Sequence, residues 1–443
     1  MLDVRHVAPW LFPLFVSACT TFHPSPLPTA PNLARSPALK VPITEFNLPG
    51  IKPHPFNPTN GLDETTVMTL AVVNNPDLKA QRLQAGVARA QVLETGLLPD
   101  PVVSGGLSKS TSITGYNVGL SEDLKALITR GAAKAAAQAH QRQVNLEILW
   151  QEWQVAEQAR ELFIQERADA ELQGLLTTNT DLLSNQYRQN QAALERNNMT
   201  AGAVMADFAA LTSAQTQLRQ TELQLNQTRH ALNQLLGLKP DTRLRLLGGR
   251  GVKALSAKAF QSAVAALPHR RADLLALRAG YESQEQLLRE AILAQFPSMS
   301  AGVQRSKSAE EGVYSSGFTV NITLPLFNRN RGQIAIQRAT RAVLYQTYQA
   351  RLDQAAGQAH QVWQATRIMT RQLENLAPSL PSLEQAAKAA ERSYRQGNLA
   401  LDSYVTQESN FLTQQAAAVQ LRTSLQLAES ALLTLLGLPP SKG

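Results

Sequence analysis

A single cysteine stands in the 443 residues of this chain, so neither an intrachain disulfide nor a cage of cysteine thiolates around a metal can form. Aromatic residues make up 5%, few for a large globular core, whereas Ala, Gln, Leu and Arg abound, as in long helices and coiled coils. A chain of this length would ordinarily fold as two or three domains; this composition points to elongation instead. The apolar stretch from Val7 to Ala18 is too short to span a bilayer as a helix. The formal net charge is +8, but Lys and Arg are spread among Glu and Gln. The basic runs interleaved with aromatics that nucleic-acid binding needs are missing. Ser-His-Asp spacing, a phosphate-cradling Gly loop and paired acids in a plausible pocket are missing too, which leaves no basis for an enzyme. His140, His230, His269 and His360 show no metal-ligand spacing and read as surface or coiled-coil positions. Met199 and Met205 are soft ligands in principle but read as packing. Trp150, Trp153 and Trp363 read as filler between helices. Neither a resident metal nor a cofactor is implied, apart from a covalent lipid considered below.

What the sequence does contain is a duplication. Leu97-Leu98-Pro99-Asp100-Pro101 precedes one pair of short strands, and Phe296-Pro297 stands in the matching place before another. The first copy closes on Leu235-Leu236-Gly237-Leu238 and the second on Leu435-Leu436-Gly437-Leu438. Each copy reads as a helix, two strands and a very long helix that turns and comes back, a repeated structural unit. Repeat 1 is expected over 62–238, with strands at about 101–123, a long helix at about 130–196 and a return helix at about 199–236. A linker over 239–257 leads to repeat 2 at 258–438, with strands at about 297–325, a long helix at about 332–396, a return helix at about 399–436 and a tail at 439–443. The first long helix would run roughly 65 residues, or ~100 Å. In the second, Tyr345, Tyr348, Leu352, Ala355, Ala359, Val362, Thr366, Met369, Leu373, Leu376 and Leu380 form a heptad seam that requires a neighbouring helix. Pro378 and Pro381 should kink or restart this helix. Asn197 and Gly397 tolerate the left-handed conformation that ends a helix in a tight turn.

The strands alternate. Phe318, Val320, Ile322 and Leu324 share one face, and Thr319, Asn321 and Thr323 the other. Tyr116, Val118 and Leu120 alternate likewise with Asn117, Gly119 and Ser121. Strands of eight to ten residues suit a tilted crossing of a bilayer. Four of them cannot close a barrel, so in lipid the barrel would have to be shared among subunits. The alternative is a soluble four-stranded sheet beside a helical bundle.

At the start, Val16-Ser17-Ala18-Cys19 resembles the lipobox of bacterial lipoproteins, with residues 1–18 as a signal peptide and Cys19 as the residue to be acylated. Thr20 in place of Asp implies, by that resemblance, an outer-membrane destination. Residues 19–61 are rich in proline and read as an extended tether, with Phe46, Leu48, Ile51 and Phe56 available to pack along the body.

This order of tether, helix, strand pair, long helix, turn and return helix, given twice, resembles the TolC family of bacterial outer-membrane efflux factors. The Leu-Pro-Asp-Pro at 98–101 and the passage from Leu324 to Gly332 belong to the likeness, which covers about Leu62 to Pro440. It implies a mainly α fold with a small β part. Three protomers would pool strands into a twelve-stranded transmembrane β-barrel and helices into a coiled-coil tunnel in the periplasm. It implies no enzyme activity, a periplasmic adaptor and an inner-membrane pump of the RND type as partners, and export across the outer membrane. Asn328-Arg329-Asn330-Arg331-Gly332 is similar to the heavy-metal subgroup, which points to metal cations. Tyr394, Gly397 and Asp402 match the family's periplasmic constriction, with Asn197 at the corresponding first turn. The plainer reading of Asp402 is a cap or support for the return helix. Leu399 stands near where some members have a gating Arg, Thr406 and Gln407 where a second acid can stand, and Gly202 replaces the acid of the first turn. The competing function is a periplasmic helical-hairpin adaptor lipoprotein that docks onto another channel. Such a protein would not need strand pairs with a lipid-facing side.

Overall fold

The computed structural model describes residues 22–38, 51, 60–110, 114–248 and 254–439. The expected signal peptide, Cys19, Phe46, Leu48 and Phe56 lie outside the described residues. The chain divides into two units, Met1–Ala34 and Arg35–Gly443. In the first, residues 22–33 are exposed and form neither helix nor strand.

The second unit opens with α1, Glu64–Asn74, capped by the Asp63 carboxylate accepting from the Thr66 amide at 2.9 Å. Nearly every residue of α1 is buried, so it serves as a core element rather than an amphipathic one. Ile51 packs onto its Met68 and Val72. Asn75 caps α2, Pro76–Gly96, with Pro76 at the first position, where the missing amide costs nothing. Strands β1, Val102–Lys109, and β2, Thr114–Asp123, follow.

The first long helix, α3, runs unbroken over Leu124–Glu195. It starts upstream of the expected position near residue 130, because Asp123 ends β2 and caps the helix by accepting from the Lys125 amide at 2.8 Å. Its 72 residues correspond to ~108 Å at the α-helical rise. Thr200 caps the return helix α4, Ala201–Leu235.

The linker bends back so that Leu246 pairs with Leu62, the Leu62 amide donating to the Arg245 carbonyl at 2.8 Å. Helices α5, Ala257–Ala265, α6, Leu267–Arg270, and α7, Ala272–Leu293, then lead to β3, Ser298–Lys307, and β4, Tyr314–Thr323. The second long helix comes in two pieces, α8, Arg331–Leu376, and α9, Ser379–Arg395. The restart falls at Pro378, which lacks the amide a continuous helix would use. Return helix α10 spans Leu401–Leu435.

Helix α3 is the axis of the packing, touching α1, α2, α4, α7 and α10. Its Ala132, Ala136 and Ala139 are buried where α7 lies close. There the Ser283 hydroxyl donates to the Ala136 carbonyl at 2.9 Å, and a Cβ on Gly280 would stand 2.8 Å from Gln143 Oε1. The heptad seam of α8 is used within the chain. Tyr348, Leu352 and Ala355 pack with Leu267 and Leu274, and Ala359, Val362 and Trp363 with Phe260, Leu432 and Leu436. Tyr345 alone of the seam is exposed.

All four helix ends built on Asn197, Gly237, Gly397 and Gly437 have positive φ, at 59°, 66°, 77° and 62°. Each is followed by an amide that donates back five residues, as Asn198 does to Ala193 and Leu438 to Leu433. This is the Schellman ending, which satisfies carbonyls the last turn leaves open. The duplication thus reaches down to single hydrogen bonds.

Candidate functional sites: the strand sheet and the helix tips

The four strands form one antiparallel sheet in the order β1-β2-β3-β4, with β2 and β3 joining the two repeats. Register then decides which side chains share a face. Val103, Leu120, Val303 and Phe318 lie in one row across the sheet, and Leu107, Tyr116, Lys307 and Tyr314 in another on the same side. Val118, Val320 and Ile322 belong to this side too. Leu324 lies past the end of β4 and is exposed.

The opposite side carries Ser104, Gly106 and Ser108 of β1, Asn117, Gly119 and Ser121 of β2, Ser300, Gly302, Gln304 and Ser306 of β3, and Ser315, Gly317, Thr319, Asn321 and Thr323 of β4. Its hydroxyls and amides bond to one another, Ser306 with Ser315 at 3.1 Å and Asn321 with Ser300 at 3.4 Å. Val102 is its one large apolar residue, and Asp123, at the helix end, its one charge. Among the described residues β1 is exposed at every position and Phe318 is 71% exposed, while α3 touches β3. A soluble sheet would ordinarily bury its apolar side.

At the far end of the long helices, the turns bring the expected residues together. Tyr394, on the last turns of α9, stacks on Tyr404 of α10 with ring centroids 5.0 Å apart. Asp402 does not cap α10, whose N-cap position is Ala400, but sits in the first turn. Its carboxylate accepts from Gln186 Nε2 at 3.0 Å and Asn190 Nδ2 at 2.9 Å, both on α3. Asn190 Nδ2 also donates to Asp207 of α4 at 2.8 Å. One amide therefore holds carboxylates from both return helices against the first long helix. Asn197 and Gly397 form the turns themselves and are exposed. Burial, with Glu391 nearby, raises the Glu408 carboxyl above its ordinary value. Burial also raises the Tyr404 phenol, helped by Glu408 and Glu391.

Asp207, Asn190 and Gln186 were not singled out from the sequence, because only the contact between helix faces joins them. The same holds for a line of buried charged and polar pairs farther along α3, in which Arg160, Glu166 and Asp169 of α3 meet Glu64 of α1 and Arg229 and Thr228 of α4. Arg160 pairs with Glu64 at 2.5 Å, Arg229 with Glu166 at 3.2 Å, and Thr228 donates to Asp169 at 3.2 Å. Among the described residues no cluster of three His, Cys, Asp or Glu side chains could hold a metal. His360 packs edge-on against Phe260 at 4.9 Å. Trp363 stacks on Phe260 at 4.4 Å, Trp150 lies under the Arg271 guanidinium at 4.7 Å, and Trp153 packs against the cluster around Met68, so all three fill space between helices. Met205 is 63% exposed, so it is not a core packing residue of the protomer.

Comparison with known proteins agrees with this geometry. Residues 264–438 match the family of outer membrane efflux proteins. No curated protein matches the chain. Among solved structures, CusC is 18% identical, with a TM-score of 0.69 over 93% of this chain and 99% of that one. A membrane protein from Pseudomonas aeruginosa is 17% identical, with a TM-score of 0.70 over 96% and 99%. The Campylobacter jejuni CmeC outer membrane channel is 16% identical, with a TM-score of 0.70 over 93% and 96%. At these identities the structures establish the fold, and the family match agrees with it through the second repeat. The expected fold is therefore the one these outer-membrane channel structures share, and the second repeat resembles the outer membrane efflux protein family.

Proposed function

We propose that this chain is a TolC-family outer-membrane efflux protein and forms a homotrimeric tunnel whose three sheets close into one twelve-stranded barrel in the outer membrane. The observation that carries this reading is the largely exposed sheet, apolar on one side between charged ends, hydroxyl- and amide-lined on the other, with β1 and β4 as open edges. Backbone groups at such edges have no partner in lipid unless a neighbouring subunit supplies a strand. The helices then extend into the periplasm, where a periplasmic adaptor and an inner-membrane RND-type pump deliver solute to the tips. Tyr394 and Asp402 line the periplasmic gate, with Asn197 and Gly397 setting the turns. Its closure draws on the bonds of Asp402 and Asp207 to Asn190.

The cargo is a metal cation, a reading supported by the Asn328–Gly332 passage and by acids at the tips, since carboxylate rings attract cations. That passage also has a backbone task, with Arg329 and Asn330 at φ 46° and 52° turning β4 into α8. A lipid on Cys19 adds a second attachment to the outer membrane. Conductance of the purified protein in planar bilayers tests the tunnel: stepwise openings with cation preference are expected. A protein that associates with vesicles and never conducts would favour the adaptor.

A further inference from the structure

We infer that the apolar side of the sheet carries, at its hairpin end, a binding site for the phosphate of a glycolipid headgroup. The inference rests on the membrane reading, which fixes the sidedness. With the helices in the periplasm, the β1–β2 and β3–β4 hairpins face outward, so their last rows lie at the level of the outer-leaflet headgroups.

The basic residues on this side, Lys109 of β1 and Arg305 and Lys307 of β3, are confined to that end. Arg305 and Lys307 of β3 point to the same side, two residues and about 7 Å apart along the strand. Below them the side is apolar through Val303 and Phe318. Tyr314 lies between the two cations, its ring 5.9 Å from the Arg305 guanidinium carbon and 5.6 Å from Lys307 Nζ. Tyr116 meets Tyr314 edge-on at 6.4 Å. Tyrosines at this level are the interfacial girdle of a membrane barrel, with ring in lipid and hydroxyl in headgroups.

Cations on a lipid-facing surface need a reason. Arg305 is exposed, and neither it nor Lys307 has a carboxylate partner among the described residues. The carboxylates of this end, Glu310 and Glu311, stand in the hairpin turn, where their amides bond to Ser308 Oγ. An amphiphile with acyl chains and a phosphorylated sugar headgroup satisfies both halves of the surface. Its chains lie on the row of Val303 and Phe318, and its phosphate accepts from the guanidinium fork and the ammonium. Basic pockets at membrane surfaces select lipid headgroups in the same way.

The test is native mass spectrometry of the full-length protein purified in detergent and exposed to bisphosphorylated lipid A, or to the same lipid with its phosphates removed. Wild-type trimers should retain the phosphorylated form selectively. Arg305→Gln with Lys307→Gln should lower that retention by about thirtyfold, the product of two basic residues at a membrane surface, while heat-resistant trimers and conductance persist. Should the double variant assemble poorly, Arg305→Gln alone gives the readout at about fivefold. Equal retention of the dephosphorylated lipid would overturn the inference, as would displacement by inorganic phosphate, which would mark a free-anion site. Conducting trimers that hold neither lipid would overturn it and leave the channel intact. A protein that forms no conducting trimer at all would remove the sidedness, and the channel reading with it.

Discussion

Carboxylates on the interior face of α3 lose hydration, and each is held by a different compensation. Glu166 is 6% exposed; burial raises its carboxyl above the ordinary value, and the Arg229 hydrogen bond opposes this without cancelling it. The folded protein therefore holds that proton more tightly than the unfolded chain. Its contribution to stability is full below the ordinary carboxylate value and is lost as pH rises through the folded value. Glu166→Gln removes the charge and keeps an acceptor for Arg229. Thermal melts from about pH 4 to about pH 7 should show the variant gaining on wild type as pH rises; a constant difference would place the shift elsewhere. At the tips, Asp402→Ala frees Gln186, leaves Asn190 with Asp207 alone, and should raise bilayer conductance or lower cation preference, with three charges lost per trimer. Conductance and selectivity both unchanged would leave closure to helix packing. Asp402 was visible in the sequence through its resemblance to the family's periplasmic constriction after the turn at Gly397. Asn190 and Asp207 were not, since a heptad shows which face of a helix is covered but not the level at which the neighbour's side chains arrive.

The strands were the most legible elements, because a period of two assigns faces without knowledge of neighbours. Ile322 and Asn321 are adjacent in β4 and point to opposite sides. Arginine near the middle of the lipid side costs about 2–4 kcal/mol, and little where water is present. Ile322→Arg should therefore reduce the yield of heat-resistant trimers on gels well below that of Asn321→Arg, and equal yields would argue for a soluble sheet. The proline break in the second long helix was equally legible from Pro378 and Pro381. The start of α3 was not: its cap is the last residue of β2, and where a strand stops depends on its partner, here Ser300 opposite Asp123. Nor does alternation reveal that β2 of one repeat pairs with β3 of the other.

For the molecule as a whole, two attachments to the membrane are proposed, a lipid and a barrel, and they differ greatly in strength. One acyl anchor gives marginal, reversible binding, so Cys19→Ala should abolish labelling by palmitate while most of the protein still trimerises and sediments with outer membranes. Wild type without label would remove the lipobox reading. The sheet order has a consequence for assembly. One protomer offers two open edges, β1 and β4. Joining a second subunit hides one edge of each and leaves two, so the number of exposed edges in lipid is the same for one subunit as for a linear pair. It falls to zero only when the last subunit meets the first. Each intermediate therefore carries the full penalty of an unfinished ring. Assembly in the membrane should be all-or-none, and crosslinking during insertion should trap monomers and closed trimers with few dimers between them.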